Sequence, residues 1–299
     1  MGLDLRGIKV AVIGGDKRDI YFMPELVRMG ADVTAVGFPA CPELEQVHLA
    51  QNIKTALKNA QVVIFPMSGS DPNGNIKTLD DNCHIQLTAS VAELIPPGTL
   101  VIIGFARDFM RNWADKYRWK LVEIGEMDSV AILNSIPSAE GAIQIAMEKL
   151  PITIHDSNSF VLGFGRLGKT LARMLRGIGA HVTVVARKRS DLARAFEMGY
   201  RPLVFTRLQQ HVSEADIIFN TVPALVLDEK MLIAMKKDVF IVDLAAAPGG
   251  TDFVAANRLG VNAVLAPGLP GIVAPKTSGK ILAQVIPQLI LREIPQEYF

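Results

Sequence analysis

Gly163, Gly165 and Gly168 stand at Gly-x-Gly-x-x-Gly spacing within Phe160-Val161-Leu162-Gly163-Phe164-Gly165-Arg166-Leu167-Gly168-Lys169-Thr170-Leu171-Ala172. Each glycine has its own task if the loop holds a dinucleotide. The first turns tightly off a strand, the second lets a pyrophosphate reach the backbone, and the third lets a helix pack close to the sheet. The anion then rests on free N–H groups at the helix start, where the helix dipole favours negative charge. A glycine triplet alone is a weak sign, because glycines also simply form turns. Here an apolar run precedes it, helix formers follow, and His181–Ala186 supplies the next strand that the motif requires. Gly163, Phe164, Gly165, Arg166 and Leu167 therefore form the expected phosphate loop.

The second chemical signal lies about twenty residues on, where NAD-binding sequences carry an acidic residue for the ribose hydroxyls. This chain has Arg187-Lys188-Arg189-Ser190 instead, with no Asp or Glu. Cations there neutralise a 2′-phosphate that an acid would repel, so NADP(H) is expected rather than NAD(H). The competing reading is a solvated basic turn. Three further strand ends converge on the same edge. Asn220, Thr221, Val222 and Pro223 are expected to line the nicotinamide ribose. Asp243, Leu244 and Ala245, with Pro267, Gly268 and Leu269, are expected to flank the nicotinamide ring.

These groups need a scaffold, and the chain supplies apolar runs alternating with helical patterns. Ile8–Ile13, Asp32–Val36, Gln61–Pro66 and Leu100–Gly104 read as strands of the first half, with helices near Asn52–Asn59 and Asn82–Leu94. The fold class expected is α/β, as two doubly wound Rossmann-like domains with parallel sheets and a cleft between them. Ligands in such sheets bind at the carboxyl ends of the strands. That rule selects Gly14, Gly15, Asp16, Lys17, Arg18, Ser68, Gly69, Phe105, Ala106 and Arg107 as a group in the first half. A helix beginning at Ser135 or Ser138, with Pro137 in its first turn, is expected to join the halves and to offer its N-terminus, beside Ser135, to a carboxylate; the alternative is that Ser138 and Glu140 only cap and stabilise that end. The expected domains are 1–137 for substrate or partner, 138–150 for the joining helix, 151–275 for NADP, and 276–299 as a helix, interrupted by Pro287, packing back on the first domain. Lys276 precedes that helix.

Composition narrows the class. The chain has 299 residues and a net charge of +1, which gives no general attraction to nucleic acid or to an anionic membrane. No apolar run reaches the ~20 residues of a membrane span. Cys41 and Cys83 have no metal-type spacing, and no metal is expected. Two isolated cysteines and the absence of a signal-peptide pattern suggest a reducing, cytoplasmic setting.

The residues resemble the A subunits of dipicolinate synthase, over nearly the whole chain. The resemblance is carried by Ile13-Gly14-Gly15-Asp16 with Arg18, by Asn134-Ser135-Ile136-Pro137 with Ala139-Glu140-Gly141-Ala142, and by Gly163-Phe164-Gly165-Arg166. Its most specific stretches are Pro248-Gly249-Gly250-Thr251-Asp252-Phe253 and Leu265–Thr277. The resemblance implies NADP-coupled oxidation of dihydrodipicolinate, a small dicarboxylate, to dipicolinate. It further implies the mother-cell cytoplasm during sporulation, with a flavoprotein-like B subunit as partner. A homo-oligomer is also expected.

Aromatising a dihydropyridine needs hydride loss to the nicotinamide and proton loss to a base, for which Asp16 and Glu140 are the candidates. Arg18, Lys17 and Lys276 are the cations available to the two carboxylates, with neutral hydrogen bonds from Ser68, Gly69 and Ser135. None of the five histidines falls on a strand-end loop beside the nicotinamide. Two other readings remain open: a noncatalytic NADP(H)-binding regulatory protein, and an alanine- or hydroxyacid-type dehydrogenase sharing only the architecture.

Overall fold

The computed structural model describes residues 3–294; residues 1–2, and the 295–299 portion of the expected C-terminal element, lie outside the described residues. Two compact units are present. One comprises the described residues up to Leu133 together with those from Ala274 onward, and the other is Asn134–Val273.

The first unit opens with β1 (Lys9–Ile13), α1 (Lys17–Arg28), β2 (Asp32–Val36), β3 (His48–Leu49), α2 (Ile53–Ala56) and β4 (Val62–Ile64). It continues through β5 (Asn75–Ile76), β6 (Ile85–Gln86), α3 (Ala89–Ala92), β7 (Leu100–Ile103), α4 (Asp108–Tyr117) and β8 (Lys120–Glu123). Six strands form one sheet in the order β3-β2-β1-β4-β7-β8, every pair parallel. Strand order reverses between β1 and β4, which opens a crevice at their carboxyl ends. The strands read as continuous apolar runs because both faces are covered. Along β1, Val10 and Val12 enter one core beside Phe22 and Leu26 of α1, while Ala11 and Ile13 enter the core on the opposite face.

Two expectations fail in this unit. Residues 82–94 form no single helix: Ile85 pairs with Ile76 in an antiparallel hairpin, and only Ala89–Ala92 is helical, capped by Thr88. The C-terminal helix, Pro275–Glu293, runs through Pro287 without interruption, with Pro287 buried in it. It packs on α1 so closely that a Cβ at Gly279 would lie 2.5 Å from the Arg18 carbonyl oxygen.

The helix α5 (Asp128–Lys149) contributes its first residues to the first unit and the rest to the second. It starts well before Ser135, and Pro137 sits inside it. Ser138 is no cap, since its hydroxyl donates to the Asn134 carbonyl one turn back. No helix N-terminus is therefore presented by Ser135 to Glu140.

The second unit continues with β9 (Asn158–Leu162), α6 (Arg166–Ile178), β10 (His181–Ala186), α7 (Arg189–Glu197), β11 (Arg201–Val204) and α8 (Leu208–His211). Then come β12 (Ile217–Asn220), α9 (Glu229–Ile233), β13 (Phe240–Asp243), α10 (Phe253–Leu259), β14 (Asn262–Leu265) and α11 (Leu269–Val273), before the C-terminal helix α12 already described. Its six strands take the order β11-β10-β9-β12-β13-β14, again all parallel, with the reversal between β9 and β12.

Candidate functional site

The three motif glycines prove unlike one another. Gly163 has φ +94, and a Cβ there would stand 2.4 Å from Thr221 Oγ1. A Cβ on Gly168 would lie 2.2 Å from the Gly163 carbonyl oxygen, so the close approach of α6 to the strand end requires glycine. Gly165 is different: φ is −81, an ordinary value for any residue, and a Cβ would meet nothing within 4 Å. Packing does not call for glycine at 165; an anion approaching the backbone does. Gly165 is also the N-cap of α6 and offers no side chain to its first N–H groups. The residues present thus fit a pyrophosphate.

Beside this loop, β10 pairs with β9 (Val185 opposite Leu162) and ends in Arg187, Lys188, Arg189 and Ser190. All four are exposed where α7 begins. None of the three cations has a carboxylate partner among the described residues. Arg166 and Gly165 are exposed and Leu167 half-buried. Phe164 turns inward instead, edge-on to Tyr200 at 6.1 Å, so it can offer a ligand only backbone.

Asn220 and Asp243 also turn inward. Both are fully buried, and Asn220 Nδ2 donates to Asp243 Oδ1 at 3.0 Å. Neither side chain lines a surface, contrary to the sequence expectation; each instead holds the loop that follows it. The surface of those loops belongs to Thr221, Val222 and Leu244, half-buried, and to Pro223, Pro267 and Gly268, exposed, whereas Ala245 and Leu269 are buried. Thr221 closes the β9–β12 crevice, its hydroxyl donating to the Leu162 carbonyl at 2.8 Å. Ser135 is buried in this unit, sharing a 2.7 Å hydrogen bond with Thr170 of α6. Glu140 is exposed in mid-helix.

In the first unit the loop after β1 carries the electrostatics. Asp16 caps α1 and accepts from Arg18 Nε at 2.9 Å and Nη2 at 2.7 Å, both side chains being nearly buried. Burial works to raise the Asp16 carboxyl, but the Arg18 guanidinium outweighs it and holds the group below the usual carboxylate range. Asp16 is therefore a poor proton acceptor, and Arg18 is committed to Asp16 rather than presented to a ligand. Asp19, which completes the cap by accepting from Asp16 N at 2.7 Å, behaves in the opposite way. Full burial, then the neighbouring Asp16 charge, push its carboxyl up to about 7.

Lys17 is exposed at the start of α1. At the neighbouring strand end Ser68 is exposed, and Gly69, φ +68, lies too close to the Phe105 carbonyl oxygen to carry a Cβ. Lys276 lies elsewhere, in a groove of about 440 Å³ with Tyr21, Pro24, Glu25, Glu43 and Lys280. The residue that sequence reasoning missed is Lys77. Its carbonyl accepts from Gly15 N at 2.8 Å, and its charge acts on Asp16. Asn73-Gly74 marks only a turn before β5, across which Ser70 bridges Ile76, and Lys77 follows directly at the β1 loop; the strands themselves are too short to signal it. Among the described residues no group of three or more His, Cys, Asp or Glu could hold a metal, and no helix is long and apolar enough to cross a membrane.

Comparison with known proteins agrees with this division. Residues 9–125 match the family model for the N-terminal domain of the dipicolinate synthase A subunit, and residues 138–249 match that of the D-isomer specific 2-hydroxyacid dehydrogenase NAD binding domain. The chain is 40% identical over 294 residues to the dipicolinate synthase A subunit of Bacillus subtilis (strain 168), covering 98% of this chain and 99% of that protein. The crystal structure of the dipicolinate synthase A subunit from Bacillus halodurans superposes with TM-score 0.91 at 38% identity, covering 96% of this chain and 99% of that one. An L-alanine dehydrogenase shares the fold at TM-score 0.66 and 14% identity, covering 95% and 89%. The chain is accordingly a nicotinamide-dependent oxidoreductase with an NAD-binding, dehydrogenase-type second unit.

Proposed function

We propose that this chain, which belongs to the family of dipicolinate synthase A subunits, oxidises dihydrodipicolinate to dipicolinate with NADP⁺ as the hydride acceptor. It works alongside a flavoprotein-like B subunit, which the hydride transfer itself does not require, in the mother-cell cytoplasm of a sporulating bacterium. One observation carries the coenzyme assignment. An uncapped helix start at Gly165, open to an approaching anion, lies beside a strand that ends in three unpaired cations and no acid. NADP⁺ supplies the hydride acceptor, and the chain's own residues do the rest. The first N–H groups of α6 hold the pyrophosphate; Arg187, Lys188 and Arg189 neutralise the 2′-phosphate.

For the dianionic substrate, Lys17 and Lys77 provide the positive charge at the β1 loop, and Ser68 provides a hydrogen bond at the β4 loop, whose turn Gly69 closes by donating its N–H to the Pro66 carbonyl at 2.9 Å. Arg18 and Asp16 serve as the fixed base of that loop. Loss of one hydride and one proton makes the pyridine ring aromatic, so the reaction relies on alignment more than on a strong base.

The test is the purified chain with dihydrodipicolinate and NADP⁺, followed at the absorbance band of reduced nicotinamide. A rise in absorbance without any B subunit supports the proposal. Full NADP⁺ binding with no rise until B is added replaces it with the noncatalytic regulatory reading. Turnover of simple keto acids instead would identify an alanine- or hydroxyacid-type dehydrogenase.

A further inference from the structure

We propose that Asp243 is a positioning residue: its carboxylate keys the loop after β13 to the loop after β12, and so fixes the edge against which the nicotinamide half of the dinucleotide lies. This rests on the dinucleotide reading above. Asp243 is 0% exposed and has no cationic partner among the described residues. Four donors satisfy it instead. Asn220 Nδ2 at 3.0 Å and Ala245 N at 3.1 Å reach Oδ1; Gly250 N at 2.9 Å and Thr251 Oγ1 at 2.6 Å reach Oδ2. A carboxylate buried without a cation is tolerated only when its lone pairs are filled in this way. None remains for a ligand, so Asp243 acts through what it holds.

What it holds is a pair of interlocked loops. Asn220 also donates to the Val222 carbonyl at 3.1 Å and accepts from Val222 N at 3.0 Å. Gly250 is clasped between them. A Cβ there would stand 2.5 Å from each of Ala224 O, Val222 O and Asn220 Nδ2, while Val226 N donates to its carbonyl at 2.9 Å. Thr221, at the edge of this assembly, faces Gly163 across the crevice. Moving Asp243 therefore moves the nicotinamide end of the site and spares the adenosine end at Arg187, three strands away, since β12 and β9 lie between β13 and β10.

The test uses two probes on the full chain: NADP⁺, and 2′-phospho-ADP-ribose, which lacks only the nicotinamide ring. In Asp243→Asn, an amide N–H₂ confronts donors that need an acceptor, and the loops shift. Calorimetric titration is expected to show NADP⁺ affinity reduced on the order of tenfold, with the fragment changed by less than about twofold. Thr251→Val removes one donor and keeps the carboxylate, giving a smaller loss of the same pattern. If Asp243→Asn does not fold, Thr251→Val decides. Equal losses for both probes, or no loss for either, in a folded variant would overturn the proposal. A wild-type chain that binds neither probe is a distinguishable result; it overturns the dinucleotide reading, and this one with it.

Discussion

Replacing Gly165 by serine separates the requirements of the coenzyme from those of the fold. The backbone at Gly165, φ −81 and ψ −158, suits serine, and a Cβ would meet no protein atom within 4 Å. Serine is also at least as good an N-cap as glycine, so the fold should be unchanged or gain a few tenths of a kcal/mol. The dinucleotide meets the opposite effect. The new side chain occupies the line of approach of the pyrophosphate, and its hydroxyl competes for the N–H groups of α6. Losing one charge-assisted hydrogen bond costs about 1.5–3 kcal/mol, which is roughly 10- to 150-fold in Kd. Gly168→Ala is the control. Its Cβ would lie 2.2 Å from a backbone oxygen, and forcing α6 away should cost about 1–3 kcal/mol of stability. Scanning calorimetry and isothermal titration on the two variants check both halves. A folded Gly165→Ser chain that binds NADP(H) within about twofold of wild type would refute the reasoning.

Asp19 has a folded pKa of about 7, above the ~3.9 of an unfolded aspartate, so its contribution to stability falls as pH rises between those values. Asp19→Asn should match wild type near pH 4 and exceed it above pH 7 by up to about 4 kcal/mol, read from urea melts at a series of pH values. A stability difference independent of pH would contradict the assignment. Arg18→Met strands the nearly buried Asp16 carboxylate and should cost about 3–5 kcal/mol, whereas Lys77→Met should stay within about 0.5 kcal/mol and raise the substrate KM. The reverse ranking, in melts and steady-state kinetics, would return the substrate role to Arg18. Arg187→Asp places an acid where the 2′-phosphate is expected; NADP(H) affinity should fall at least tenfold, and NAD(H) affinity should hold or rise, in parallel titrations.

Much of the scaffold is legible in the chain because parallel strands covered on both faces must be apolar along their buried lengths, as residues 10–13 and 160–162 are. The glycine loop is legible because Gly163 and Gly168 answer to local geometry that few other residues tolerate. What escapes is what depends on tertiary partners. Asp16 and Arg18 announce charge but not that they spend it on each other, and it is that pairing, together with the deeper burial of Asp19, that makes Asp19 differ from Asp16. Lys77 escapes because two-residue strands leave almost no pattern. Pro137 and Ser138 imitate a helix start, yet α5 absorbs both, the serine by bonding back to Asn134. Asn220 and Asp243 stand at strand ends where ligand contacts are expected, and only their mutual hydrogen bond shows that they face inward.

The most direct measurement is a pair of calorimetric titrations of the wild-type chain, one with NADP⁺ and one with NAD⁺, at the same ionic strength. The cations after β10 predict NADP⁺ binding tighter by at least tenfold. Equal affinities, or tighter binding of NAD⁺, would contradict the account.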